Sequence, residues 1–112
     1  MPVLKTVEKV WGRELWHHNS DKYCMKTLEL RRGAQCSLHF HPQKEETFLV
    51  VNGVVRFELY DQIRTLYEGE SIDIPSGYPH RFSAITSRAR VIEASTHHSD
   101  EDVVRLEESR EI

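Results

Sequence analysis

The sequence predicts an all-β fold, an antiparallel jelly-roll barrel of short strands, and two observations carry that expectation. No segment of the 112 residues sustains apolar spacing of period 3.6 over three turns, so helix is the minority state. Short β-rich runs bounded by turn formers recur instead, at roughly ten-residue spacing, which is the pattern of a small double-sheet roll. The runs are Tyr23 to Leu30, Gln35 to His41, Thr47 to Val51, Val54 to Tyr60, Ile63 to Tyr67, Ser71 to Ile74, His80 to Ile85 and Arg88 to Ser95. Arg32-Gly33, Asn52-Gly53, Glu68-Gly69 and Pro75-Ser76-Gly77 punctuate them. Asn52-Gly53, between Phe48-Leu49-Val50-Val51 and Val54-Val55-Arg56-Phe57, is the strongest hairpin signal and predicts that these two strands pair antiparallel. From Ser99 onward the chain reads as an extended segment. Ser99 with Asp102 three residues on could cap a short helical end there, whereas Val103-Val104 favours a strand.

Length and charge set the outer bounds. A chain of 112 residues with 38% apolar residues suits one domain, 1–112, with one core. A net charge of −3 with no basic stripe argues against nucleic acid or an anionic membrane as partner. Apolar runs are too short for a membrane span, and Met1-Pro2-Val3-Leu4-Lys5 lacks a secretory pattern, so a cytoplasmic location is expected. In that compartment Cys24 and Cys36 are expected as free, buried thiols.

Histidine is the unusual feature, with seven in so short a chain. In His39-Phe40-His41 the period-two alternation of a strand sends both imidazoles to one face. Glu46 follows after the short turn Pro42-Gln43-Lys44, which can fold its carboxylate back towards the pair. A third imidazole, His80, follows Pro75-Ser76-Gly77-Tyr78-Pro79. Three His and one Glu with open positions suit one divalent metal ion: zinc, manganese, iron or nickel. Of the remaining imidazoles, the adjacent pairs His17-His18 and His97-His98 would point to opposite faces of a strand, so they are read as solvated and without a role. By the same alternation Glu45 faces outward.

The wider spacing resembles a known family. Gly33, His39-x-His41, Glu46 and Gly53 reproduce the first motif of the cupins, and Gly69, Pro75-x-Gly77 and His80 reproduce the second, with Ala84 where the family usually has Asn. The resemblance implies a cupin-type double-stranded β-helix barrel with His39, His41, Glu46 and His80 as metal ligands. Lys9-Val10-Trp11-Gly12, Ile74 to Arg81, Ile92-Glu93 and Ser99 to Glu107 are similar to the C-terminal isomerase domain of type II mannose-6-phosphate isomerase. Those isomerases carry Gln as the first metal-facing residue, where this chain has His39.

The resemblance implies a sugar-phosphate isomerase acting by metal-assisted proton transfer through an enediolate. A small-molecule substrate, a sugar phosphate, is the expected partner. Glu93 shares the face of Val91 in an apolar strand and is the candidate base, with a raised pKa, or else an outward-facing charge paired with a neighbouring Arg, the commoner fate of such a residue. Lys26 shares the face of Leu28 and Leu30 and is a candidate for phosphate or a substrate oxygen, or else a snorkelling surface lysine. Arg81 is a candidate phosphate clamp, although alternation turns it away from His80. Trp11 is a candidate wall for a sugar ring or else a core residue. A dioxygenase using iron on the same ligands, or a non-catalytic metal- or sugar-binding module, stays open. Exposed edge strands in so small a barrel predict a homodimer.

Overall fold

The computed structural model describes residues 3–112. These residues form thirteen strands in two sheets, every strand pairing being antiparallel. The first sheet has the order β1 (Lys5–Lys9), β2 (Gly12–Asn19), β3 (Cys24–Arg31), β11 (Arg88–Ser95), β6 (Glu46–Asn52) and β9 (Ser71–Ile74). In the second, β10 (His80–Ala84) pairs on one side with β7 (Val55–Leu59), which pairs with β8 (Gln62–Leu66). On its other side lie β4 (Ala34–Gln35) and β5 (Leu38–Phe40), backed by β13 (Arg110–Glu111) and β12 (Val104–Glu107). Among the described residues no helix is long and apolar enough to cross a membrane.

The expected pairing across Asn52-Gly53 does not form. β6 is flanked by β11 and β9, and β7 by β10 and β8, so the two runs belong to different sheets. Gly53, at φ 78°, turns the chain between the sheets so closely that a Cβ there would stand 2.6 Å from the Arg88 carbonyl oxygen. Only glycine fits such an approach. The tight two-residue hairpin is instead Tyr60-Asp61, with Leu59 opposite Gln62 and Tyr60 at φ 55°.

Three further differences are local. The run Gln35 to His41 is split at Cys36-Ser37, where the Phe82 amide donates to Cys36 Sγ at 3.2 Å, so β4 and β5 meet β10 separately. β1 and β2 carry no clear alternation and no sequence signal marks them; a long backbone ladder to β3 holds β2 in the sheet, and β2 in turn holds β1. No helix follows Ser99: the Asp102 amide closes a turn on the Ser99 carbonyl at 3.0 Å, and the chain continues into β12 and β13.

The core lies between the sheets. Phe48 of the first sheet meets Phe57 and Phe82 of the second at centroid distances of 5.4 and 5.9 Å, and Trp11 packs edge-on to Phe82 at 5.2 Å. The inward faces change character along the strands. Leu28 and Leu30 give way to Lys26 on β3, Val91 to Glu93 on β11, Phe48 and Val50 to Glu46 on β6, and Phe82 to His80 on β10, all of them buried. One end of the interior is thus apolar and the other polar, and the polar end is the candidate site.

Candidate metal centre

His39, His41 and His80 converge, with one ligating atom from each lying within 4.8 Å of the others. Cross-strand pairing of His39 with His80 brings two of them together across β5 and β10, and their rings stand 4.5 Å apart. His41 follows β5 two residues after His39, its ring 5.0 Å from the His39 ring. The expected common face is therefore observed. Each ring spends its Nδ1 in the same way. His39 Nδ1–H donates to the Ser37 carbonyl at 2.8 Å, His41 to that of Asp102 at 2.7 Å and His80 to that of Tyr78 at 2.9 Å. A backbone carbonyl can only accept, so each bond fixes the tautomer with a bare lone pair on Nε2, the form that binds metal.

Glu46 completes the group. Its Oε1 lies 3.1 Å from His80 Nε2 and 3.5 Å from His41 Nε2. Both Glu46 Oε1 and His80 Nε2 are buried without a hydrogen-bond partner, because with His80 Nδ1 as the donor two acceptors face each other. Such an orphaned pair is costly in an interior and is relieved by a cation between the atoms. Three imidazole nitrogens and one carboxylate match the donor set of a divalent first-row metal. Burial pushes the pKa of His39 down to about 3 and that of His41 to about 4, which keeps both rings neutral.

A network of buried charge surrounds this cluster, and sequence reasoning reached only part of it. Glu93 and Lys26 both point inward, at 5% and 2% exposure, which decides against the surface readings that the sequence left open for them. The raised pKa expected for Glu93 is not found: burial alone would raise it, but the Lys44 and Lys26 ammoniums outweigh that and hold the carboxylate below its usual range. Lys44 lies in the Pro42-Gln43-Lys44 turn, where no sequence signal marks it for burial. It is 2% exposed at its side chain, and its Nζ reaches Glu93 at 3.2 Å, Glu46 at 3.3 Å and His98 Nδ1 at 3.0 Å. Burial opposes its charge, but Glu93 and Glu46 prevail and raise its pKa to about 12.

His98 was also given no role, yet its Nδ1 faces both Lys44 and Lys26, the latter at 3.4 Å, while Nε2 meets Asp100 at 2.9 Å. The remaining three of the adjacent histidines stay outside the cluster, with His17 on Thr27, His97 on the Ser20 carbonyl and His18 stacked on Tyr23. Glu14 is a further residue not anticipated, 3.7 Å from Lys26 Nζ. Asp102 holds the His41 side of the site. Its carboxylate accepts from the Gln43 and Lys44 amides at 2.9 Å each, while its carbonyl orients His41. No local motif marks these residues: Lys44, His98 and Asp102 lie on loops and Glu14 on β2, and all four reach the site through long-range contacts.

A cavity of about 420 Å³ opens on this group, and Trp11, Lys26, His39, His41, Glu46 and Glu93 line it. Trp11 belongs to the core, against Phe82, and also lines the cavity. Arg81 does not reach it. Alternation places Arg81 on the other face of β10, where it donates to Glu58 at 2.6 Å and Glu107 at 3.1 Å, so its expected role as a phosphate clamp lacks geometric support. Glu45 is exposed, as expected. Cys24 and Cys36 are free and buried.

Known proteins resemble this chain in sequence and in fold. Residues 26–95 match the family model described as "Cupin domain". A mannose-1-phosphate guanylyltransferase of Sinorhizobium fredii is 29% identical over 109 residues, covering 94% of this chain and 21% of that protein. One of Escherichia coli is 31% identical over 78 residues, or 70% of this chain and 16% of that protein. The chain thus spans about a fifth of the length of these curated relatives. Among solved structures, oxalate decarboxylase of Bacillus subtilis superposes with TM-score 0.82 at 21% identity, over 91% of this chain and 30% of that one. KdgF of Halomonas sp. does so with TM-score 0.74 at 21% identity, over 80% and 81%. The likeness to the solved structures is one of fold. With the family match covering more than half of the sequence, the two motifs in place and the sheets arranged as in those structures, the chain belongs to the cupin domain family.

Proposed function

We propose that this cupin is a metal-dependent sugar-phosphate isomerase that interconverts an aldose and a ketose phosphate of the mannose-6-phosphate type. The observation that carries the metal is the orphaned pair Glu46 Oε1 and His80 Nε2, set among three imidazoles whose tautomers leave Nε2 bare. The mannose phosphate chemistry in the names of the Sinorhizobium and Escherichia relatives supports the substrate class. Mn(II) centres in the Bacillus oxalate decarboxylase support a divalent ion in a site of this fold.

A divalent ion on His39, His41, His80 and Glu46 would supply Lewis-acid polarisation of the sugar's carbonyl and hydroxyl oxygens. The chain's own groups carry the proton. Glu93 lines the cavity and is held ionised by Lys44, so it stands in the form that accepts a proton from one carbon and returns it to the next. Lys26 and Lys44 place positive charge beside oxygens that gain negative charge as the proton leaves, which lowers the barrier where charge develops. Trp11 closes one wall against water. We further propose a homodimer, which sedimentation as a single 13.2 kDa species would overturn.

Elemental analysis combined with solvent-deuterium exchange tests this reading. Stoichiometric divalent metal and exchange of the C2 proton of mannose 6-phosphate are expected. Iron with substrate-dependent oxygen uptake would replace the isomerase with a dioxygenase. A sugar phosphate that binds without exchange would leave a non-catalytic module.

A further inference from the structure

The phosphate of such a substrate needs cationic partners, and those beside the metal cluster are already engaged. Lys44 lies between Glu46 and Glu93, Lys26 lies by Glu14 and His98, and Arg81 is outside the cavity. Two other cations line the same cavity, Lys9 and Arg105, and neither forms an ion pair among the described residues.

Backbone register aims both inward. Arg105 of β12 stands directly opposite His39 of β5, and directly opposed residues of an antiparallel pair share a face, so its side chain leaves the sheet on the side of the candidate ligand. Lys9 stands opposite Gly12, which stands opposite Leu30 of the core, so Lys9 leaves the first sheet on its interior side. Gly12 makes this possible. At φ 145° a Cβ there would fall 1.8 Å from the Glu29 carbonyl oxygen, so only glycine permits the tight turn that brings Lys9 and Trp11 over the cavity. Lys9 is half-buried and Arg105 exposed, whereas His41, His80 and Glu46 are buried, so the two cations mark the solvent side.

We propose that Lys9 and Arg105 form a phosphate subsite on the solvent side of the cavity, clasping the phosphate monoester while the sugar end reaches the imidazole cluster. The proposal rests on the sugar-phosphate reading above. The guanidinium suits two phosphate oxygens at once and the ammonium a third. A volume of about 420 Å³ lies within the usual range for small-molecule sites. Of the acids on this rim, Asp100 is taken by His98 at 2.9 Å, and Glu108 faces the subsite as a repulsive neighbour.

The experiment compares metal-loaded wild-type protein with Arg105→Gln, Lys9→Gln and Arg105→Lys, using inorganic phosphate, mannose 6-phosphate and mannose as probes. Each Gln variant is expected to weaken phosphate and mannose 6-phosphate binding by about tenfold. Metal content, thermal midpoint and mannose binding should not move, and Arg105→Lys should retain part of the affinity. Glu108→Gln should tighten phosphate. Wild-type affinity for phosphate in both Gln variants, or no phosphate binding by the wild type, overturns the subsite. Should the wild type exchange the C2 proton of mannose 6-phosphate while both Gln variants keep its KM, the subsite falls and the isomerase stands. Should phosphate binding be lost in the variants while no sugar phosphate is ever exchanged by the wild type, the isomerase falls and the subsite stands.

Discussion

Lys44 neutralises two buried carboxylates at once, and its removal is informative for that reason. Glu46 is pushed up by burial and by the charge of Glu93, and with Lys44 absent Glu46 would lose its ammonium partner while Glu93 would keep only Lys26. Lys44→Met should therefore destabilise the metal-free protein by about 3–5 kcal/mol in denaturant titration, the cost of breaking a buried pair from one side. A loss below about 1 kcal/mol would mean that the acids share a proton without needing the ammonium. Asp102 acts at one remove, its carboxylate fixing the loop amides and its carbonyl the His41 tautomer. Asp102→Ala is expected to weaken metal binding about 10- to 100-fold, as removal of an outer partner does, while His41→Ala should abolish most of it. Calorimetric metal titration separates the two. His39, His41, Glu46 and His80 were legible from spacing because a strand's period of two and two turns bring them together. Lys44, His98 and Asp102 were not, since the contacts that draw them into the site, Lys44 to Glu93, His98 to Lys44 and Asp102 to the Lys44 amide, each span more than 45 residues of sequence.

At the level of elements, tight turns decide which strands meet. Gly12 is where that dependence is greatest, because the clash of a Cβ would be with backbone rather than with a flexible side chain. Gly12→Ala should cost at least about 2 kcal/mol and loosen β1 from β2. Hydrogen exchange checks it: amides of 5–9 and 12–16 should lose protection while those of β10 and β11 keep theirs. Asn52-Gly53 shows how a sound local signal can mislead. A dipeptide of this kind permits a tight reversal, yet whether the reversal joins neighbours in one sheet or crosses to the other depends on which edges are free. Both edges of β6 are taken by β11 and β9. The run from Gln35 to His41 read as one strand because alternation has no symbol for a break, and the contact of Cys36 Sγ with the Phe82 amide makes one.

The whole molecule couples metal, pH and stability. Without metal, His39 and His41 stay neutral down to about pH 3 and 4, whereas in the unfolded chain imidazoles protonate near 6.5. Between those values the unfolded state binds more protons, so stability is lost as pH falls from 6.5 towards 4. Denaturant titration of the chelator-treated protein between about pH 7.5 and about pH 4.5 should record that decline, and a flat profile would contradict the burial of these rings. Returning metal at a hundredfold above its Kd should restore about 2.7 kcal/mol, or roughly 10–20 °C in Tm for a chain of this size. The all-β class, most strand positions and the four candidate ligands were readable from the chain, because alternation and turn chemistry are local properties, whereas the inward faces of Lys26 and Glu93 were settled by folding. The division of strands between two sheets, the low pKa of Glu93, the exile of Arg81 and the enlistment of Lys44, His98 and Asp102 emerge only on folding. Hydrogen bonds and charges act through space, and no spacing rule records which distant groups burial will bring within 3 Å of one another.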